Sequence, residues 1–252
     1  MAEALDIARS DALGGIPHGF FGRAGGVSTG QIAGLQFGMG AGDDPANVAE
    51  NRRRAIAAIL PGAALVMPYQ VHSPDAVIVD APWADSDRPH ADAVVTDRPG
   101  LLLGIVTADC APVLLADHEA GVVGAAHAGW RGAVGGVIEA TIAAMEQRGA
   151  QASRIAAAIG PCIARPSYEV DAAFRTHFTP ADEHCFAPGR DGHWQFDLET
   201  YVVGRLKRCG VSQVDPLGLD TYRLEQRYYS FRRATHRGES NNGRLGSLIG
   251  LA

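Results

Sequence analysis

The stretch from Ala93 to Ala126 restricts the fold more than any other part of the chain. Leu101 to Thr107, Pro112 to Ala116 and Gly121 to Ala126 are almost continuously apolar, and each is closed within a few residues by Asp, Gly, Pro or Ser. Apolar runs this short between turn residues read as strands, and a run without polar alternation leaves no face for water. Such strands belong in sheets covered on both sides, as in a layered α/β domain. Ala64 to Met67, Ala76 to Val79 and Ala93 to Thr96 repeat the pattern, as does Ile155 to Ile159 before Gly160-Pro161-Cys162.

Helices interleave with these strands. Asp43-Asp44-Pro45 places acids and an early proline where a helix begins, and Asn47 to Leu60 then offers Val48, Ile56, Ile59 and Leu60 as one buried face before Pro61-Gly62 stops it. Gly135 to Gln147 predicts a second helix with Val137, Ile138, Ile142 and Met145 inward, and Asp171 to Phe178 and Asp197 to Cys209 predict two more. Leu245 to Leu251 predicts a last strand after the turn-forming Asn241-Asn242-Gly243. Residues 17–40 hold eight glycines and no sustained period, so they read as loop with short strands. Dense glycine serves either close backbone approach to a ligand or turns between edge strands. Residues 1–16 read as an irregular N-terminal extension. With no repeat and no low-complexity linker, one domain is expected.

A chain of 252 residues with 46% hydrophobic and 20% charged residues buries about 70 to 75% of its unfolded surface, so it needs neither disulfides nor a structural metal. Any metal is free to be functional. The 22 basic and 28 acidic residues give a net charge of −6, and the one dense basic cluster, Arg52-Arg53-Arg54, lies on a predicted helix, so no nucleic-acid partner is expected. No apolar run approaches membrane-spanning length and the N-terminus lacks a basic, apolar leader, which predicts a cytoplasmic protein with no membrane partner. Four separated cysteines without a C-x-x-C pair fit a reducing compartment. The sequence defines no oligomeric state.

Three segments place a soft or imidazole ligand at a strand end among small residues: Gln70-Val71-His72-Ser73-Pro74, Thr107-Ala108-Asp109-Cys110-Ala111-Pro112 and Ala125-Ala126-His127-Ala128-Gly129. Their spacing matches no local metal motif. Their chemistry is nonetheless coherent, because two imidazoles and a thiolate suit zinc and three ligands leave a fourth position open. The same residues fit a second reading, with Cys110 as nucleophile, His127 or His72 as base and Asp109 orienting it, as in a cysteine hydrolase or amidase acting on peptidoglycan precursors. They also fit a third, structural reading as a buried thiol and hydrogen-bonded histidines. The other seven histidines follow no ligand pattern.

HGFFGRAGGVSTG, GDDPANVAENRR, QVHSPDAV, ADAVVTDRPGLLLGIVTADCAPVLL, AAHAGWRG, AIGPCI and YYSFRR together, in this order and over nearly the whole chain, resemble the YfiH-like family, also called laccase-domain or polyphenol-oxidase-like. The resemblance implies an α+β fold, a mixed α/β layered sandwich likened to a toxin deamidase, and a zinc site at His72, Cys110 and His127. It also implies phosphorolysis of adenosine, inosine or methylthioadenosine with phosphate, together with adenosine deamination. An older description of the family implies a copper-dependent phenol oxidase.

Deamination needs water to attack C6 of the purine, which zinc beside a carboxylate such as Asp109 would support. Phosphorolysis needs a cationic pocket, for which Arg23 in the glycine-rich loop and Arg131 after His127 are candidates, with Arg244 a third substrate-binding residue. Multicopper oxidation asks for several clustered copper sites, which scattered histidines do not supply. Gln31, Gln36 and Asn242 depart from the family's usual residues, and the glycine-rich loop is the expected cover for the nucleoside. A binding factor that holds a nucleoside without turning it over fits the same residues.

Overall fold

Alternate side chains of the apolar strands go to opposite layers. In Leu101–Thr107, Leu102 packs with Phe21, Ala55 and Leu248, whereas Leu103 and Ile105 face a second cluster with Val94, Leu114 and Val123. In Ala111–Asp117, Leu114 and Ala116 join that second cluster, while Val113 and Leu115 turn to a third with Ile138, Ile142 and Tyr201. Two sheets therefore stack face to face, and the outer face of each is covered by helix, one on the first sheet and more on the second. This is a single-domain mixed α/β fold. It is seen in a computed structural model that describes residues 4–240 and 242–252.

The first sheet has the order Ile7–Ala8, His18–Phe21, Leu245–Gly250, Leu101–Thr107, Ala64–Val66, antiparallel except for its last pair. The second runs Gln213–Pro216, Ala156–Ile159, Ala111–Asp117, Val122–Ala128, Ala93–Thr96, Ala76–Ile78, with parallel pairs only at its edges. Every residue of Ala111–Asp117 and Val122–Ala128 is buried, as their unbroken apolar runs require. The helix Pro45–Ile59, capped by Asp44, covers the first sheet with Ala55, Ile56 and Ile59. Val137–Glu146 and Leu198–Arg208 cover the second.

Several expectations need correction. The helix expected at 135–147 forms as Val137–Glu146, but an unexpected helix, Trp130–Gly135, precedes it, parted from it by Gly136 in the left-handed conformation at φ 108°. The helix expected at 171–178 is the single turn Ala172–Arg175, since Phe174 and Phe178 instead join an aromatic cluster with Phe186 and Phe196. That cluster is backed by an unexpected small antiparallel sheet of Glu169–Asp171, His193–Phe196 and Phe186–Pro188. Phe231–His236, capped by Ser230, is a short helix the sequence did not announce. Within the N-terminal stretch expected to be irregular, Ile7–Ala8 pairs with Phe20 and Phe21, and Leu13 is fully buried. Residues 1–3 of that stretch, and Asn241 of the predicted Asn241-Asn242-Gly243 turn, lie outside the described residues. Among the described residues no helix is long and apolar enough to cross a membrane.

Candidate metal centre and its cleft

The chain passes from the first sheet to the second at residues 108–110, between Leu101–Thr107 and Ala111–Asp117. Asp109 makes that turn at φ 83°, a conformation uncommon for a residue with a side chain, and delivers Cys110 to the sheet end. His127 lies on the neighbouring strand, in register with Pro112. His72 arrives from the loop between Ala64–Val66 and Ala76–Ile78, also at positive φ, 61°. One positive-φ backbone thus sits at a ligand and the other immediately before one. One ligand atom from each of His72, Cys110 and His127 lies within 4.8 Å of the others. A tetrahedral zinc separates its ligands by about 3.5 Å, so small side-chain shifts would close the trio on a metal.

Asp92 builds this arrangement, and the sequence reading missed it. It is fully buried, and its Oδ1 accepts from His127 Nδ1 at 2.7 Å, which turns Nε2 toward the trio. Its Oδ2 accepts from the backbone N–H groups of Val71 and Ser73 at 3.0 and 2.7 Å, fixing the residues on either side of His72. One carboxylate therefore orients two ligands. Gly129 supplies room: a Cβ there would stand 2.9 Å from both Cys110 Sγ and His72 Cδ2.

Burial alone would push the Cys110 thiol up, but the neighbouring His127 and His72 outweigh it and bring it down to about 6. Burial pulls His127 down, yet the Cys110 sulfur and Asp92 together raise it to about 9. In Asp92 itself burial is outweighed by the His127 imidazole and two backbone donors, and its carboxyl lies below the ordinary range. Free of metal, the pair is thus close to thiolate and imidazolium. A metal ion would take the place of that proton and receive a ready thiolate. Two nitrogens and a sulfur, oriented from behind and open in front, fit a metal ion.

The trio lies at the centre of a cleft with two lobes of about 310 and 350 Å³, a size for small molecules. Trp130, Tyr168, Arg131 and Arg232 line one lobe, and Gln70, Thr107 and Arg244 line the other. Phe231, 57% exposed, borders both. Of the arginines expected from sequence, Arg131 and Arg244 reach the cleft. Arg23 does not: it donates to the Ala33 carbonyl, stacks on Tyr229 and lines a separate polar cavity with Arg233 and Arg237.

The glycine-rich loop does not line either lobe of the cleft, contrary to expectation. Its glycines serve close packing, as where a Cβ on Gly26 would stand 2.1 Å from the Gly34 carbonyl oxygen. Asp109 borders the aromatic lobe with both oxygens engaged, by Thr221 Oγ1 at 2.6 Å, Ser230 Oγ at 3.0 Å and Arg232 N at 2.6 Å. Burial outweighs these donors and raises its carboxyl. Those bonds fasten the start of Phe231–His236 above the trio. Tyr168, Phe231 and Arg232 were not anticipated, because only the small sheet and the short helix bring them to the cleft.

Comparison with known proteins places these features in a family. The family described as multi-copper polyphenol oxidoreductase laccase matches residues 17–252. A purine nucleoside phosphorylase of Streptomyces coelicolor is 38% identical, covering 97% of this chain and 99% of that protein. One from Deinococcus radiodurans is 41% identical, covering 99% and 94%. Among solved structures, a Neisseria meningitidis protein of the DUF152 family superposes with a TM-score of 0.87 at 33% identity over 98% of each chain. YlmD of Geobacillus stearothermophilus does so at 0.85 and 31%, over 96% of this chain and 94% of its own.

Proposed function

This chain belongs to the family described as multi-copper polyphenol oxidoreductase laccase, and from that premise we propose that it is a purine nucleoside phosphorylase rather than a copper oxidase. The observation that carries the reading is the cleft: a three-ligand set for a metal flanked by aromatic faces on one side and a half-buried arginine on the other. Relatives at 38 and 41% identity over nearly their whole length bear that enzyme's name. A multicopper oxidase calls for several clustered copper sites, whereas among the described residues one His/Cys cluster able to hold a metal forms.

Zinc is the metal we assign to His72, Cys110 and His127, where it would supply a Lewis acid that polarises a substrate oxygen. The remaining work falls to the chain. Trp130, Tyr168 and Phe231 offer flat apolar faces to a purine, and Arg131 and Arg244 supply positive charge for phosphate and ribose. In phosphorolysis a phosphate oxygen bonds to C1′ as the C1′–N9 bond breaks, and the purine leaves with the electron pair and takes up the phosphate's proton. Holding the two substrates on opposite sides of C1′ is then the main task of the site. Asp109 holds Phe231 and Arg232, the cover of the cleft, in place for it.

A second reading, adenosine deamination, is favoured by one observation. Asp109 borders the aromatic lobe and burial raises its carboxyl, as suits a group that hands a proton to departing ammonia. Three hydrogen bonds already occupy its oxygens, so the phosphorylase reading comes first. Zinc-loaded protein incubated with adenosine, inosine or methylthioadenosine and phosphate is expected to release free base and ribose 1-phosphate. Inosine formed from adenosine without phosphate would report deamination. Full zinc occupancy with none of these products sinks the reading.

A further inference from the structure

We propose that the lobe between Thr107 and Arg244 is the subsite for inorganic phosphate, an assignment that rests on the phosphorylase reading and gives its two substrates separate places. Strand register creates the lobe. Leu245 pairs with Thr107 across the first sheet, so Arg244, one residue earlier, arrives beside the end of Leu101–Thr107 and next to the metal ligands.

Two groups in this lobe, one buried and one half-buried, have donors left over. Thr107 is 2% exposed and its hydroxyl has no hydrogen-bond partner among the described residues. Burial pulls the Arg244 guanidinium down, and among the described residues no carboxylate lies within ion-pair distance of it. Among the described residues its hydrogen bonds run from one terminal nitrogen to the Asn242 and Gly243 carbonyls, which leaves the rest of its donor fork for a ligand. Gln70, also in this lobe, is spent on both backbone groups of Val106. A donor fork and a hydroxyl without acceptors call for a ligand rich in acceptor oxygens and negative charge, which describes phosphate.

The other arginines belong to the aromatic lobe or to the separate cavity. Arg131 is exposed and stacks on Trp130, and Arg232 stacks on Tyr168 while donating to the Glu169 carbonyl. In the separate cavity, Arg237 is paired with Glu225 and Glu239, and Arg233 donates to three backbone carbonyls. Arg244 is also braced: a Cβ on Gly38 would stand 2.7 Å from its Cγ, and the Gln36 side-chain amide bonds both backbone groups of Gly38. The glycine-rich loop thus reaches the site indirectly, by fixing this arm. With phosphate here and the purine in the aromatic lobe, attack on C1′ comes from the side opposite the leaving base.

The test measures binding of inorganic phosphate by calorimetry, alongside KM for phosphate and for nucleoside, in zinc-loaded wild type, Arg244→Gln, Arg244→Lys and Thr107→Val. Arg244→Gln is expected to weaken phosphate binding and raise its KM by about tenfold or more, with KM for nucleoside changed less than about twofold and partial rescue in Arg244→Lys. Thr107→Val is expected to weaken phosphate binding while its Tm stays equal or rises, because the ligand-free hydroxyl is unpaired; a purely structural Thr107 would lower Tm. Absence of phosphate binding to wild type, or binding indifferent to Arg244 and lost in Arg131→Gln or Arg232→Gln, overturns the subsite. Arg244-dependent phosphate binding without any phosphorolysis keeps the subsite and removes the enzyme reading. Phosphorolysis whose phosphate KM ignores Arg244 does the reverse.

Discussion

Two aspartates flank the metal ligands, one in the floor of the cleft and one beneath its cover, and they differ in sign. Asp92 in the floor and Asp109 under the cover are both buried, at 0% and 7% exposure, and each accepts three hydrogen bonds. Burial pushes both carboxyls up. Asp92 also faces the His127 imidazole, which outweighs the penalty and lowers it, whereas Asp109 meets two hydroxyls and a backbone N–H, which do not. The imidazole partner favours the charged form of Asp92, while burial favours the neutral form of Asp109. Asp92 accordingly serves the metal ligands, and Asp109 serves the position of Phe231 and Arg232.

The largest effect should come from breaking the floor. Asp92→Ala strips the partner from His127 and from the Val71 and Ser73 amides, and zinc affinity measured by chelator competition should fall about 10- to 100-fold. Folding stability in urea should fall by about 3 kcal/mol in the same variant. Gly129→Ala presses on Cys110 and His72 from within the floor, and should lower zinc affinity about tenfold with little change in secondary structure by circular dichroism.

Asp109→Asn separates floor from cover. It should leave zinc affinity within about threefold of wild type while kcat/KM falls about tenfold, because Phe231 and Arg232 lose their anchor. A loss of zinc as large as in Asp92→Ala would erase the distinction. The smallest change is expected from Arg23→Gln, which touches neither lobe: kcat/KM should stay within about threefold, the cost being the Tyr229 stack and the Ala33 contact. A larger loss of activity would move the glycine-rich loop back to the site.

The ligand trio was legible because its chemistry is carried by residue type. Two imidazoles and a thiol at strand ends make a metal centre one of three readings before their positions are known, and the resemblance carried by the ordered motifs around them favours it. Asp92 and Thr107 were not legible. Each sits in an apolar strand context where an aspartate reads as a turn and a threonine as a strand residue, and their roles depend on partners from other strands. Arg23 and Arg131 looked equivalent as cations, yet packing sent one to Tyr229 and the other to the cleft.

By itself, then, the sequence determined that the central strands lie between covered layers and that a His, Cys, His set is available to a metal, since unbroken apolar runs and ligand chemistry are local properties. Only the tertiary structure decided which carboxylate orients the ligands, which arginine enters the cleft and which merely braces a loop. Those choices follow from strand register and from the crossing between two sheets, where Leu245 meets Thr107 and Pro112 meets His127. Pairings of that kind join residues distant along the chain, and no local periodicity encodes them.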